Sequence, residues 1–124
     1  GNETVFEIKD HNGCNVVHYL CMIDDMEHVI KKILNTRPDL NNSQNIMLET
    51  PLIISAKYRQ ENYVYFLKGL NCDVNKTDIN GNTVYHYICL NELCIGMDIQ
   101  NKENNFGYTP ESYCSVSKNY YYFI

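Results

Sequence analysis

The sequence predicts an all-helical solenoid of about three to four helix-turn-helix repeats, the third shortened. Three observations carry this expectation. Asp10-His11-Asn12-Gly13 opens Asn15-Val16-Val17-His18-Tyr19-Leu20-Cys21, and Asp78-Ile79-Asn80-Gly81 opens Thr83-Val84-Tyr85-His86-Tyr87-Ile88-Cys89 in the same order. His18 and His86 lie 68 residues apart, twice 34, and a third copy, Thr50-Pro51-Leu52-Ile53-Ile54-Ser55-Ala56, sits between them. Ile53 takes the histidine's place, 35 residues after His18 and 33 before His86. A self-similar period in this range marks stacked repeats. The segments after the first two copies then carry apolar stripes of helical period: Val29, Ile30, Ile33 and Leu34 in one, Tyr63, Val64, Phe66, Leu67 and Leu70 in the other.

The boundaries fall at about 10–42, 43–76, 77–101 and 102–124, within one domain of 124 residues. In the first repeat, Asp10 to Gly13 makes a turn, because Asp and Asn tolerate the left-handed region and Gly enters it freely. Asn15 caps a short helix from Val16 to Ile23. Asp24-Asp25 breaks that helix and caps a second, which ends at Arg37-Pro38-Asp39 because Pro cannot continue it. In the second repeat Thr50 caps and Pro51 takes the first helical position, where a missing N–H costs nothing. Met47 stands where 34-residue counting places glycine, and one extra residue is expected in this turn, so the finger should be irregular.

The third repeat shortens. The second spends 17 residues from Ala56 to Asp73, the third only 9 from Cys89 to Asp98. The difference is about two helical turns, so the outer helix is expected to be lost or reduced to a turn around Leu93-Cys94-Ile95. A fourth start follows at Gly107-Tyr108-Thr109-Pro110, with a short helix from Glu111 to Val116. The tail Tyr120-Tyr121-Tyr122-Phe123-Ile124 either covers the apolar surface left by the short repeat or offers an exposed patch to a partner. Val5 to Asp10 parallels Asp73 to Asp78 as the end of a preceding repeat, which predicts a fragment of a longer protein.

Composition excludes several classes. The net charge is −5, and no basic run exceeds Lys31-Lys32, which argues against direct nucleic-acid binding. No apolar run reaches the roughly 20 residues of a membrane helix. Gly1 stands first, so the lack of a targeting segment carries little weight. Of six cysteines, Cys21 and Cys89 occupy the slot of Ala56. A cysteine interchangeable with alanine is a small buried apolar residue, so reduced thiols in an intracellular, cytoplasmic or nuclear protein are expected. Heavy use of Asn, Ile, Lys and Tyr suggests an AT-rich genome.

Asp78-x-x-Gly81-x-Thr83-x-x-His86, Asp73-Val74-Asn75, Thr50-Pro51-Leu52 and Gly107-Tyr108-Thr109-Pro110 together resemble the ankyrin repeat family, whose pattern is roughly D-x-x-G-x-T-P-L-H-x-A-A followed by a second helix and a D-V-N hairpin. The resemblance covers nearly the whole chain and recurs in register. The short, degenerate array is also similar to poxvirus-like and IκB-like viral ankyrin proteins. Departures are Val for Pro in two copies, Ile53 for His and Met47 for Gly.

His18 with Cys21, and His86 with Cys89, have the i, i+3 spacing that can share a helix face and bind zinc. The resemblance instead implies a structural histidine that bonds across turns of neighbouring repeats, and the two pairs lie two repeats apart. No phosphate loop, nucleophile elbow or kinase set is present. The chain is therefore expected to be non-catalytic, without metal or cofactor. A repeat stack curves into an extended binding face, and the resemblance implies that a protein partner meets the hairpin tips and inner helices. By position the tips are His11, Asn12 and Cys14, then Glu49, then Ile79, Asn80 and Asn82. The inner-helix positions are Met22 and Ile23, Lys57 and Tyr58, and Leu90 and Asn91. The partner is expected to be a protein; a host signalling or transcription factor of the NF-κB type and a second copy of this chain, joined through the aromatic tail, are the alternatives.

Overall fold

In the computed structural model the described residues are 8–70, 72–93 and 98–114. Every regular element among them is helical: α1 (Val16–Leu20), α2 (Glu27–Thr36), a 3-10 helix (Pro38–Asn42), α3 (Pro51–Lys57), α4 (Glu61–Lys68), α5 (Val84–Leu90) and α6 over 110–114. Helices this short are unstable alone, so their packing must hold them. α3 packs on α4 within its own repeat and on α1 and α5 to either side. The row α1–α3–α5 forms one layer, with α2 and α4 beside it.

The caps follow the sequence. Asn15 Oδ1 accepts from the N–H groups of Val17 and His18, at 2.8 and 3.2 Å. Thr50 Oγ1 accepts from Ile53 N–H at 3.2 Å, with Pro51 at the first helical position. Pro110 begins α6 in the same way, directly after Thr109. Two expectations need correction. α1 ends at Leu20, not Ile23, with Cys21 as its C-cap. Asp24-Asp25 does not cap α2: Met26 does, without a side-chain bond. Asp25 instead turns the chain at φ 61°, and Asp24 accepts from Gln60 Nε2 at 2.8 Å.

The core runs through the repeats as one cluster that includes Val17, Cys21, Ile30, Leu34, Leu52, Ile53, Ala56, Val64, Leu67, Val84 and Ile88. Val29 and Phe66 are half-buried, and Leu70, expected in the stripe, is exposed. Cys21 and Cys89 are buried in the slot that Ala56 fills. Tyr63 buries its ring and uses its hydroxyl as a tie between repeats: it donates to Ile23 O at 2.7 Å and accepts from Met26 N–H at 2.8 Å.

The turns repeat with little variation. In each, one backbone N–H closes back three residues: Gly13 to Asp10, Leu48 to Asn45, Gly81 to Asp78, Gly107 to Asn104. The first residue's Oδ1 then accepts two further N–H groups, at 2.9–3.0 Å. The closing residue always has positive φ: 72°, 59°, 78° and 83° in order. The second finger is therefore regular. Its glycine slot is Leu48, not Met47, because the additional residue of the first repeat sits in the α1–α2 loop rather than in the turn. The outer segment expected around Leu93, Cys94 and Ile95 lies largely outside the described residues, as does the aromatic tail.

Candidate functional site

The four turns line up through a ladder of single backbone bonds. Ile46 N–H donates to Asn12 O at 3.0 Å, Ile79 N–H to Met47 O at 2.9 Å, and Asn105 N–H to Asn80 O at 2.9 Å. Each bond joins the same two positions of adjacent turns. The residues at these positions therefore project in register along one edge: His11 and Asn12, Ile46 and Met47, Ile79 and Asn80, Asn105 and Phe106.

Histidine ties the turns to the helices behind them. His18 Nδ1 accepts from Asn15 N–H at 3.1 Å, which leaves the proton on Nε2. Nε2–H then donates to Ser43 O and Glu49 O, both at 3.0 Å, in the next repeat. His86 repeats the arrangement, accepting from Thr83 N–H at 3.0 Å and donating to Tyr108 O at 2.9 Å. Burial holds the His18 imidazole below its usual pKa, against these carbonyl bonds, which favour the charged ring. Both ring nitrogens of each histidine are thus used within the fold. The thiols beside them are weak nucleophiles: burial pushes Cys21 up to about 12, and burial with the neighbouring Cys114 pushes Cys89 up to about 12.

Tyrosine supplies a clasp not anticipated from the sequence. Tyr19 Oη donates to Asp10 Oδ2, and Tyr87 Oη to Asp78 Oδ2. Asn104 Nδ2 donates to Tyr113 Oη at 2.9 Å. In each case the tyrosine follows the turn's first residue by nine positions, a spacing visible in the sequence. The Tyr19 bond holds the Asp10 carboxyl below its ordinary pKa and pushes the phenol up to about 12. The second repeat has Ile54 at that spacing. There Asn45 Nδ2 bonds Glu49 Oε1 at 2.9 Å, and Lys57 Nζ lies 2.6 Å from Glu49 Oε2.

The expected partner-binding residues divide into two groups. His11, Asn12, Ile23, Lys57, Tyr58, Ile79, Asn80 and Leu90 are exposed. Met22, Asn82 and Asn91 are half-buried, and Cys14 and Glu49 are buried. Glu49 is spent on Asn45 and Lys57. Asn82 accepts from Asn104 Nδ2 at 2.8 Å, and Asn91 Nδ2 donates to Ala56 O at 2.8 Å. Asn82 and Asn91 thus tie neighbouring repeats, while Cys14 and Glu49, though buried, line a groove at the tips. Sequence reasoning missed Ile46, Met47 and Leu48, exposed by 58, 45 and 44%, because a glycine slot at Met47 places the turn one residue before its true position at Leu48. It also missed Tyr19, Phe106 and Tyr108, all exposed. Ile46 and Met47 meet Tyr19 and Met22 across a shallow groove of about 300 Å3, which joins tip to inner helix.

No family model matches the chain. A stretch of 84 residues is 33% identical to part of the nuclear factor NF-kappa-B p105 subunit of Gallus gallus. That match takes in 64% of this chain and spans 8% of the length of p105. Among the described residues no helix is long and apolar enough to cross a membrane.

Proposed function

We propose that the chain is an ankyrin-type repeat stack that binds a protein partner, without catalysing a reaction, through its turn tips and inner helices. One observation carries this reading. Ile46, Met47 and Ile79 are exposed on the tips, and Ile23, Tyr58 and Leu90 on or just after the inner helices, each by 45–58%. Tips are the usual place for polar residues. Large apolar and aromatic groups there lose contact with water when a partner covers them, and such groups dominate interface cores. The repeated turns, the histidine bridges and the similarity to p105 support the ankyrin assignment. The non-catalytic part rests on histidines whose nitrogens serve the backbone and thiols kept protonated by burial. Thiols of that kind suit a reducing, intracellular setting.

Co-purification with wild type, Tyr58→Ala and the double variant Ile46→Glu/Ile79→Glu tests the reading. The double variant should lose the partner, since two buried charges each cost several kcal/mol at an interface. Equal recovery of every partner by all three proteins would dismiss the tip surface. Light scattering separates partner binding from self-association through the aromatic tail: a monomer at high concentration leaves only the former.

The p105 similarity favours one narrower reading, that the partner is an NF-κB-type transcription factor held in an IκB-like manner, as a viral mimic would hold it. Calorimetry with a purified NF-κB subunit tests it. No heat at about 10 µM, or equal heat from the double variant, rules it out.

A further inference from the structure

A second concavity shares no residue with the tip groove. It encloses about 810 Å3 between α2 and the 3-10 helix, and His28, Lys31, Lys32, Leu34, Asn35, Pro38, Asn41 and Leu70 line it. Three features of this cleft belong together. Its rim is cationic and made by one helix: His28, Lys31, Lys32 and Asn35 are related by steps of three and four residues, so they share a face. Its wall is apolar, from Leu34, Pro38 and Leu70. Its lining also includes Asn41, only 1% exposed, whose Oδ1 has no hydrogen-bond partner.

Asn41 is held firmly. Its Nδ2 donates to Leu67 O and Leu70 O, at 3.3 and 3.2 Å, which fixes the amide plane and leaves Oδ1 buried without a partner. A buried acceptor without a donor is costly, and such a group calls for an explanation. The two lysines are not equivalent. Lys31 Nζ sits 3.0 Å from Glu27 and over the Phe66 ring, 4.9 Å from its centroid. Lys32 has no such engagement among the described residues and is the charge available to a ligand.

We propose that this cleft binds a small phosphate monoester whose planar body carries an N–H or O–H donor. The phosphate sits between Lys32, His28 and Asn35. The planar body lies on Leu34, Pro38 and Leu70. The donor reaches the buried Asn41 Oδ1 by a shift of the lining Leu70, which is 42% exposed. Pockets of this size, with an apolar lining and a few placed polar groups, are the common form of small-ligand sites. The site is independent of the protein-binding surface.

Three probes dissect it by amide NMR titration of the full chain: inorganic phosphate, phenyl phosphate and 4-aminophenyl phosphate. The expected order of affinity is 4-aminophenyl phosphate, then phenyl phosphate, then phosphate, with saturable shifts confined to 28–41 and to Leu70. Lys32→Gln should weaken the esters about tenfold, Lys31→Gln by less, since its charge is shared with Glu27. Both lysines are exposed, so both variants should keep the wild-type spectrum. Tyr58→Ala, which lies outside the cleft lining, should bind as wild type does. No saturable shift up to about 10 mM, or inorganic phosphate binding as tightly as the esters, overturns the proposal. So does unchanged ester affinity in Lys32→Gln.

Discussion

Three junctions join the four turns, and the middle one differs from those on either side. At the first and third junctions a buried histidine crosses from its own helix cap to a carbonyl of the next turn, Glu49 or Tyr108. At the second, Ile53 is buried in the histidine's place and offers no such bond. The ladder bond is kept at all three. The middle junction finds its polar ties elsewhere: Asn91 Nδ2 binds the last carbonyls of α3, Gln44 Nε2 donates to Thr77 O at 3.2 Å, and Lys57 Nζ lies over the Tyr87 ring at 5.9 Å. A buried polar bridge is therefore optional in this architecture, provided that every group it would have served is either satisfied or absent.

Substitution at the two kinds of slot sharpens that contrast. His18→Ala should cost about 3–4 kcal/mol in urea unfolding, since it opens a cavity and strands the Asn15 N–H. His18→Ile copies the middle slot, fills the space and should still cost about 2 kcal/mol, because Asn15 N–H and Ser43 O lose their partner. Ile53→Ala should cost about 3 kcal/mol from the cavity alone. A neutral His18→Ile would mean that the bridge contributes nothing.

Glycines in the last two turns give the next largest difference. Gly81 and Gly107 have nearly the same φ, 78° and 83°. A Cβ at Gly81 would stand 2.4 Å from Asn105 Oδ1 and 2.9 Å from Asn105 N, where the next turn leans in, whereas at Gly107 it meets nothing within 4 Å. Gly107→Ala should therefore cost about 1 kcal/mol, for the left-handed backbone. Gly81→Ala should cost about 2–3 kcal/mol, because the neighbouring turn must also move. Equal losses in chemical denaturation would mean that the turns do not press on one another.

The smallest effect is on pH dependence. The His18 pKa in the fold lies below the ordinary 6.5 because burial disfavours the imidazolium. The unfolded chain then takes up this proton first as pH falls. Stability from His18 is whole above about 6.5, declines as pH drops from there to the folded pKa, and is level below it. Unfolding free energies measured from pH 8 to 5 should show this decline in wild type and a shallower one in His18→Ile. A decline of the same slope in both would assign it to other groups.

Much of this fold is written plainly in the chain. The caps at Asn15 and Thr50, Pro51 at the first helical position and the burial of Ile30, Leu34, Val64 and Leu67 follow from spacing and residue type. Two features did not. Leu48 adopts a backbone that glycine normally supplies, and nothing about an isolated leucine announces a positive φ; the neighbouring turns impose it. Asp24-Asp25 has the composition of a helix start, yet the loop's additional residue moves the cap to Met26. The candidate surface was half legible. Position within the repeat finds Ile79 and Tyr58, but burial of Glu49 depends on Lys57, eight residues away, and exposure of Ile46 depends on the register that Leu48 sets.

The ladder along the turn edge has a mechanical corollary. Adjoining fingers share a single backbone bond with a few side-chain bonds beside it, such as Asn104 Nδ2 to Asn82 Oδ1, while the helices behind them share a broad, largely apolar contact. Such a row pivots more readily about its back than it slides, so its curvature can change slightly while the order of the fingers is preserved. A partner that grips several tips at once would then meet a surface able to open or close by small angles without unpacking the interior.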